Sequence, residues 1–363
     1  MKICFFSINA YSAFNPKREA PIGGTEIQLF NIAHYLARDP TFDVNFITGD
    51  WGQPPIEIFG NMKVVRSFSL RKSLSNCIKA PFLLLKSLKK VNADVYIASS
   101  AGIEIGIIAL FCKIFRKNFI FRTASSVDCN TEKIKKLGKI VGTFYKFGLK
   151  NASIVIVQNS EDKKNLMKFH KKKSKIIKNS FEIPKFEIKE RDYILWVGSA
   201  RKVKRPEIFF EIAKKNPREN FVMILSKSGD AELWERLLSE ASHISNLKLI
   251  PGVPFSESQN YFSKAKLLVG TSEYEGFPNV YVQACMAGVP IISLAVNPDD
   301  FITENDLGYV ADNVLGKLLG QIRGILLDNK DYLSKSKNGY QYAKNTHSIK
   351  ENIEKWKEII SFQ

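Results

Sequence analysis

The sequence predicts an α/β protein of two doubly wound domains, each a parallel sheet covered by helices on both faces. Three observations carry this expectation. Short apolar runs of strand type alternate with helical patterns along the chain, as buried parallel strands and crossover helices do. The alternation halts in a polar stretch, Phe181–Asp192, and restarts at Tyr193. The 363 residues suit two domains of about 150. We place one domain at 1–182, a linker at 183–192, a second domain at 193–345 and a C-terminal helix at 346–363.

In the first half the expected strands are Lys2–Ser7, Asp43–Thr48, Lys63–Ser67, Val95–Ser99, Phe119–Thr123 and Ser153–Gln158. In the second half they are Tyr193–Gly198, Phe221–Ser226, Leu247–Pro251, Lys266–Gly270, Pro290–Leu294 and Tyr309–Ala311. Each is short, apolar and bounded by turn residues. Helical periodicity marks Glu26–Ala37, Pro206–Lys214 and Ala231–Ser242 between them. The tail from Asp331 to Gln363 reads as helix of mixed charge.

Composition narrows the function. Hydrophobic residues make up 45% and charged residues 25%, which excludes a disordered or collagenous chain. The formal charge is +18, but unevenly placed. Residues 1–182 hold 30 basic and 13 acidic side chains, a net +17, and residues 183–363 hold 24 and 23, a net +1. An anionic partner is therefore expected at the first half. Cys4, Cys77, Cys112, Cys129 and Cys285 are odd in number and lack metal-like spacing, which suits a reducing cytoplasm. The apolar run at Met1–Ser7 is too short for a signal peptide. The longest apolar stretch, Ala101–Phe115, is interrupted by Glu104 and Lys113 and falls short of the roughly 18–20 residues of a spanning helix. A cytoplasmic protein, peripheral on the inner face of the membrane, is expected.

The most informative segment runs from Ser272 to Pro290 and follows the strand Lys266–Gly270. Pro278 suits a helix first turn, Gly288 its C-terminal end, and Pro290 a stop. Glu275 then lies in the loop before the helix, beyond the carboxyl end of a strand, where open α/β sheets bind ligands. Backbone N–H groups of Gly276 and Phe277 at that helix start are suited to an anion. The run Glu275-Gly276-Phe277-Pro278-Asn279, a polar residue eight positions after the Glu, and Ala287-Gly288-Val289-Pro290 together resemble the donor-site motif of family 4 glycosyltransferases. The resemblance implies the GT-B architecture, two Rossmann-like domains facing across a cleft, and retaining transfer from a nucleotide-diphosphate sugar. It implies that Glu275 contacts the donor sugar. Gln283 stands where the family has a second Glu that holds the ribose. An amide can hydrogen-bond a diol, but without charge.

Two further blocks agree. Trp196–Glu207 resembles the family's strand-Gly-loop-Lys segment, in which an Arg and a Lys hold the diphosphate. Gly198 and Lys204 occupy the family positions, and Arg201 is the candidate for the Arg, since Ser199 follows the glycine. Fixed cations there would stabilise the departing diphosphate. Ile22-Gly23-Gly24-Thr25-Glu26, after the first strand, looks like the family's first-domain glycine loop over the donor diphosphate or the acceptor. It is not GxGxxG, so a nicotinamide cofactor is not expected. The family's His after a later strand is absent from Arg122–Cys129, and Asp128, Ser125 or Ser126 are left as candidates to line the sugar site, with Arg122 as a candidate to contribute charge. Asp128 is taken as the catalytic candidate. His34, His170, His243 and His347 read as surface or core histidines, and Asp299–Asp300 as helix-capping loop acids rather than a metal pair. No cofactor or metal is expected, and the C-terminal helix should pack back on the first domain as in the family.

The excess charge lies in three stretches. Arg71–Lys90 has six basic residues and no acid, with Leu74, Ile78, Phe82, Leu83, Leu85 and Leu88 interleaved. Lys133–Lys150 has six lysines and Lys163–Lys178 has eight. The first two suit either an anionic membrane surface or lysine-rich outer faces of packed helices. No nucleic-acid-binding signature is present, so nucleic acid is not expected as a partner. The expected partners are a nucleotide-sugar donor, a carbohydrate or lipid-linked acceptor, and the membrane. The alternative reading is an epimerase or a non-catalytic nucleotide-sugar-binding protein of the same architecture.

Overall fold

The structure is a computed structural model. It describes residues 1–15, 23–69, 74–187, 190–227 and 229–362, without the side chains of 74–77 and 256. Ile22 of the glycine loop, Arg71 and Lys72 of the first basic stretch, the side chains of Leu74 and Cys77, and Ile188 and Lys189 of the linker lie outside the described residues. The chain divides into two units, residues 1–182 with 349–363, and residues 183–348.

The strands of the first unit are β1 Lys2–Phe6, β2 Asp43–Thr48, β3 Ile56–Phe59, β4 Met62–Arg66, β5 Val95–Ser99, β6 Asn118–Arg122, β7 Ile154–Val157 and β8 Ser174–Ile176. They form one sheet in the order β3-β4-β2-β1-β5-β6-β7-β8. All pairs are parallel except the hairpin β3/β4. Period-two alternation explains the two covered faces. On β1, Ile3 and Phe5 join one core with the helices Gly24–Leu36 and Ile349–Ser361. Cys4 and Phe6 join the opposite core with the helices Leu74–Val91, Ile103–Ile114 and Lys139–Asn151. The helices Ile103–Ile114 and Lys139–Asn151 approach closely through glycine. A Cβ on Gly106 would stand 2.5 Å from the Phe144 carbonyl oxygen, and one on Gly148 2.6 Å from Ile105.

The helix Ile349–Ser361 belongs to the first unit through Ile353, Trp356, Ile359 and Ile360, all buried beside the helix Gly24–Leu36. Lys357 adds an ion pair to Asp39 at 2.9 Å. Its three lysines and three glutamates cancel, so the unit keeps its net +17.

The second unit holds β9 Tyr193–Ser199, β10 Asn220–Ser226, β11 Leu247–Ile250, β12 Ala265–Gly270, β13 Ile291–Ser293 and β14 Gly308–Val310. Their order is β11-β10-β9-β12-β13-β14, all parallel. One core packs Ile194, Trp196, Met223 and Val269 against the helices Pro206–Lys215, Ala231–Ala241 and Leu315–Leu327.

All twelve expected strands are present, and β3 and β8 are additional. No helix among the described residues is long and apolar enough to cross a membrane.

Candidate active site

In the second unit the strand order reverses between β9 and β12. The crevice beyond the carboxyl ends at such a switch point is where open α/β sheets take ligands. The loops leaving these two strands are Ala200–Arg205 and Thr271–Pro278, the two blocks singled out by motif.

Three ties lock the loops together. Trp196 Nε1 donates to Thr271 Oγ1 at 2.8 Å, and Thr271 Oγ1 donates to the Lys204 carbonyl at 2.6 Å. The Glu273 N–H donates to the Val203 carbonyl at 2.9 Å. Arg205 donates from Nε to the Thr271 carbonyl at 2.8 Å, from one terminal nitrogen to the Ser272 carbonyl at 3.1 Å, and from the other to Asn313 Oδ1 at 2.6 Å. Arg205 holds φ +46°, in the left-handed region, and Pro206 follows as the first residue of its helix. The short turn Lys202–Lys204 and this left-handed residue aim Lys204 at the second loop.

There Lys204 Nζ donates to Glu275 Oε1, and Ser272 Oγ donates to the same oxygen at 2.8 Å. The two charged side chains are 23% and 19% exposed. A cation and a carboxylate are thus held side by side, part-buried and open to a ligand. A ligand with phosphate and hydroxyl groups satisfies both, since each group in the pair prefers a different end of it.

Glycines let the backbones come this close. A Cβ on Gly198 would stand 2.6 Å from the Trp196 ring, and one on Gly270 2.0 Å from the Tyr281 hydroxyl. Gly229 holds φ +127°, and its Cβ would stand 2.3 Å from the Ala200 carbonyl oxygen, which also accepts from the Asp230 N–H at 2.8 Å. This braces the first loop from behind.

Behind the second loop, Phe277 is buried against Phe301 and His347, with ring centroids 4.9 and 5.2 Å away. Gly276 and Pro278 are buried and Asn279 half-buried. The helix runs Asn279–Met286 with Pro278 as its N-cap, one residue earlier than a first-turn position. Gly288 follows it at φ +60°.

Residues 178–346 match the family described as glycosyl transferases group 1. That match falls on the second unit, residues 183–348. An uncharacterized glycosyltransferase of Haemophilus influenzae is 23% identical over 381 residues, covering 99% of both chains. The sucrose-phosphate synthase of Thermosynechococcus elongatus superposes with a TM-score of 0.81 at 16% identity, covering 99% of this chain and 98% of its own. HepE of Anabaena, solved in complex with UDP-glucose, superposes at 0.75 with 15% identity and full coverage of both chains. The fold is GT-B.

Within this fold the predicted residues fall into two groups. Glu275, Lys204, Gly276, Phe277 and Pro278 lie on the two locked loops, Gly198 lies near the end of β9, and Asn279 opens the helix Asn279–Met286. Arg201 is on the first of them, exposed, with its N–H on the Ser199 carbonyl at 2.8 Å. Gln283 is buried one turn further along the helix, and its Nε2 donates to Ser258 Oγ at 2.9 Å.

The first-unit candidates have partners within their own loops. Asp128 is fully buried, and its Oδ2 accepts from the Ala124 and Ser125 N–H groups at 2.8 and 3.0 Å. Its other oxygen faces Lys133 Nζ at 3.4 Å. The carboxylate holds its own loop. Gly23 and Gly24 do begin a helix, but the Gly23 N–H donates to Glu26 Oε2 at 3.0 Å. A carboxylate from the same helix thus caps its N-terminus.

The motif reading missed Thr271, Ser272, Arg205 and Ser258. The first two directly follow a strand at the switch point, which was the available signal. Ser258 had none. A hollow of about 590 Å³ lies elsewhere on the unit, lined by Tyr193, Asn220 and Lys264 at the amino ends of the strands. It contains none of the predicted residues.

Proposed function

We propose that the protein is a retaining glycosyltransferase that moves a sugar from a nucleotide-diphosphate sugar to the hydroxyl of a carbohydrate or lipid-linked acceptor. The observation that carries this reading is the Lys204–Glu275 pair at the β9/β12 switch point. Lys204 and Arg201 face the diphosphate, whose charge grows as the glycosidic bond breaks, and no metal is assigned to that task. Glu275 accepts hydroxyls of the donor sugar. Gln283 addresses the ribose once its amide leaves Ser258.

The acceptor hydroxyl attacks from the face that the diphosphate leaves, so configuration is retained. Its proton passes to the departing diphosphate oxygen. That HepE was crystallised with UDP-glucose favours a UDP-sugar as the donor. The reading further places the enzyme in cell-surface polysaccharide, lipopolysaccharide or glycolipid synthesis, cytoplasmic and docked on the anionic inner membrane face by its first unit.

The test is a panel of UDP-, GDP- and ADP-sugars, read as a rise in unfolding temperature and as transfer. One of them should stabilise the folded chain and support turnover in the presence of EDTA. Glu275→Ala should lose at least about 100-fold in turnover while its circular dichroism stays native. Full activity in that variant would remove the assignment.

A further inference from the structure

The first unit buries a cation that no described carboxylate neutralises. Arg122 ends β6 and is 3% exposed. Its guanidinium reaches two acceptors, the Thr123 carbonyl at 3.4 Å and Asn179 Oδ1 at 2.5 Å. Both are neutral, and among the described residues no carboxylate pairs with it. Burial draws its pKa down to about 10. The other buried cation among the described residues, Lys335, is treated differently and sits between Asp306 and Asp331, 2.6 Å from each. An isolated buried charge is costly, and folds pair it unless a ligand does so.

Two more donors join it. Gln158, which follows β7, and Gln28, on the helix Gly24–Leu36, are 2% and 1% exposed. Neither Nε2 has an acceptor among the described residues. A chain of contacts brings them to Arg122. Gln28 Oε1 accepts from the Ser180 N–H at 2.7 Å, beside Asn179. Thr123 Oγ1, beside Arg122, donates to Gln158 Oε1 at 3.5 Å. Both amides thus face their oxygens to the protein and leave their NH₂ groups unmet. The cluster stands at the carboxyl ends of β6 and β7, the side on which such sheets bind ligands.

We propose that Arg122, Gln158 and Gln28 form a binding site for an oxyanion carried by the acceptor, a carboxylate or a phosphate on a sugar. The proposal rests on the transferase reading. A planar guanidinium with two amide NH₂ groups matches an anion with several acceptor oxygens and has nothing to offer a neutral hydroxyl that water does not. The acceptor is then an acidic sugar, and its charge selects it.

The test is calorimetric titration of the full chain with glucose, glucuronate, glucose 6-phosphate and inorganic phosphate. At least one sugar acid should bind about tenfold or more tightly than glucose, and the better of the two identifies the anion. Arg122→Met should erase that preference without lowering the unfolding temperature, because it removes an uncompensated buried charge. Gln158→Leu keeps the charge and the fold and should weaken the acid several-fold. Equal binding of glucose and its acids overturns the proposal, as does a preference that survives Arg122→Met. A variant that loses affinity for UDP instead assigns Arg122 to the donor and overturns it too. Donor binding separates the two readings. A chain that binds a nucleotide sugar but shows no acid preference fails this proposal alone, whereas one that binds no nucleotide sugar fails the transferase reading beneath it.

Discussion

Asp162 is a carboxyl group kept out of water for the sake of a helix start. Its N–H donates to Asn159 Oδ1 at 2.7 Å, and Asn159 Nδ2 donates back to its Oδ2 at 2.8 Å. Burial outweighs these bonds and pushes its pKa up to about 6. An acid raised in the folded state binds a proton that the unfolded chain has already lost. The associated stability is present below the unfolded pKa, near 4, and is lost as the pH rises through about 6. Two pKa units correspond to about 3 kcal/mol, an upper figure for a group in contact with polar neighbours. Asp162→Asn keeps the capping geometry and removes the titration. The stability difference between variant and wild type should therefore grow from pH 4 to 6 and then level off. Equilibrium unfolding across that range checks it, and a flat difference would refute the assignment.

At the scale of elements, the proposed transfer depends on how firmly the loops after β9 and β12 are tied. Arg205 is the strongest tie, since one guanidinium spans the Thr271 and Ser272 carbonyls and Asn313. Arg205→Ala strands those acceptors at a cost of about 1–3 kcal/mol. The helix Pro206–Lys215 keeps its buried face, so the fold should survive. Lys204 and Glu275 lose their registration, and turnover should fall about 10–100-fold. Steady-state kinetics with saturating donor decides it, and unchanged turnover would mean the loops are held some other way. Sequence made the sheets legible because buried parallel strands are apolar on both faces. It missed β3, an edge strand whose residues alternate exposed and half-buried, although Gly60-Asn61 between Phe59 and Met62 is a hairpin signal. It missed β8 because Ser174-Lys175-Ile176 hides in a lysine-rich run. The donor loops were legible through spacing, since glycines and prolines mark where backbones crowd. The loop amides that Asp128 binds leave no trace in residue type. The same holds for Gly23, whose partner is its own helix's Glu26.

For the molecule as a whole, the charge asymmetry now has an address. The helix Leu74–Val91 turns Leu84, Ser87, Leu88 and Val91 inward, at a helical period, and buries them. Its outer face shows Ile78 61% exposed and Phe82 70% exposed, with Leu83 and Leu85 also exposed. Lys79, Lys86, Lys89 and Lys90 are exposed on the same helix, with no acid among its residues. The Lys133–Lys150 stretch differs. There Tyr145, Gly148 and Leu149 are buried in packing, and only Ile140 remains a large exposed apolar side chain. Water disfavours four exposed apolar side chains on one helix, and lysines around them suit a surface of anionic lipid heads. Each lysine near such a surface adds about 1 kcal/mol, screened within a Debye length. The protein should therefore sediment with phosphatidylglycerol vesicles and not with purely phosphatidylcholine ones. Raising salt from 0.05 to about 0.5 M should weaken binding by roughly tenfold or more without abolishing it. Ile78→Ser with Phe82→Ser should lower binding at every salt concentration, because it removes the inserted area and leaves the charge. Lys86→Gln with Lys89→Gln should instead flatten the salt dependence. Both pairs lie on the outer face of one helix, so donor binding should be untouched in each. Equal binding to neutral vesicles would show that the charge does not select the surface. Absence of binding in the wild type would return the exposed face to some other role and leave the +17 of the first unit without a membrane partner.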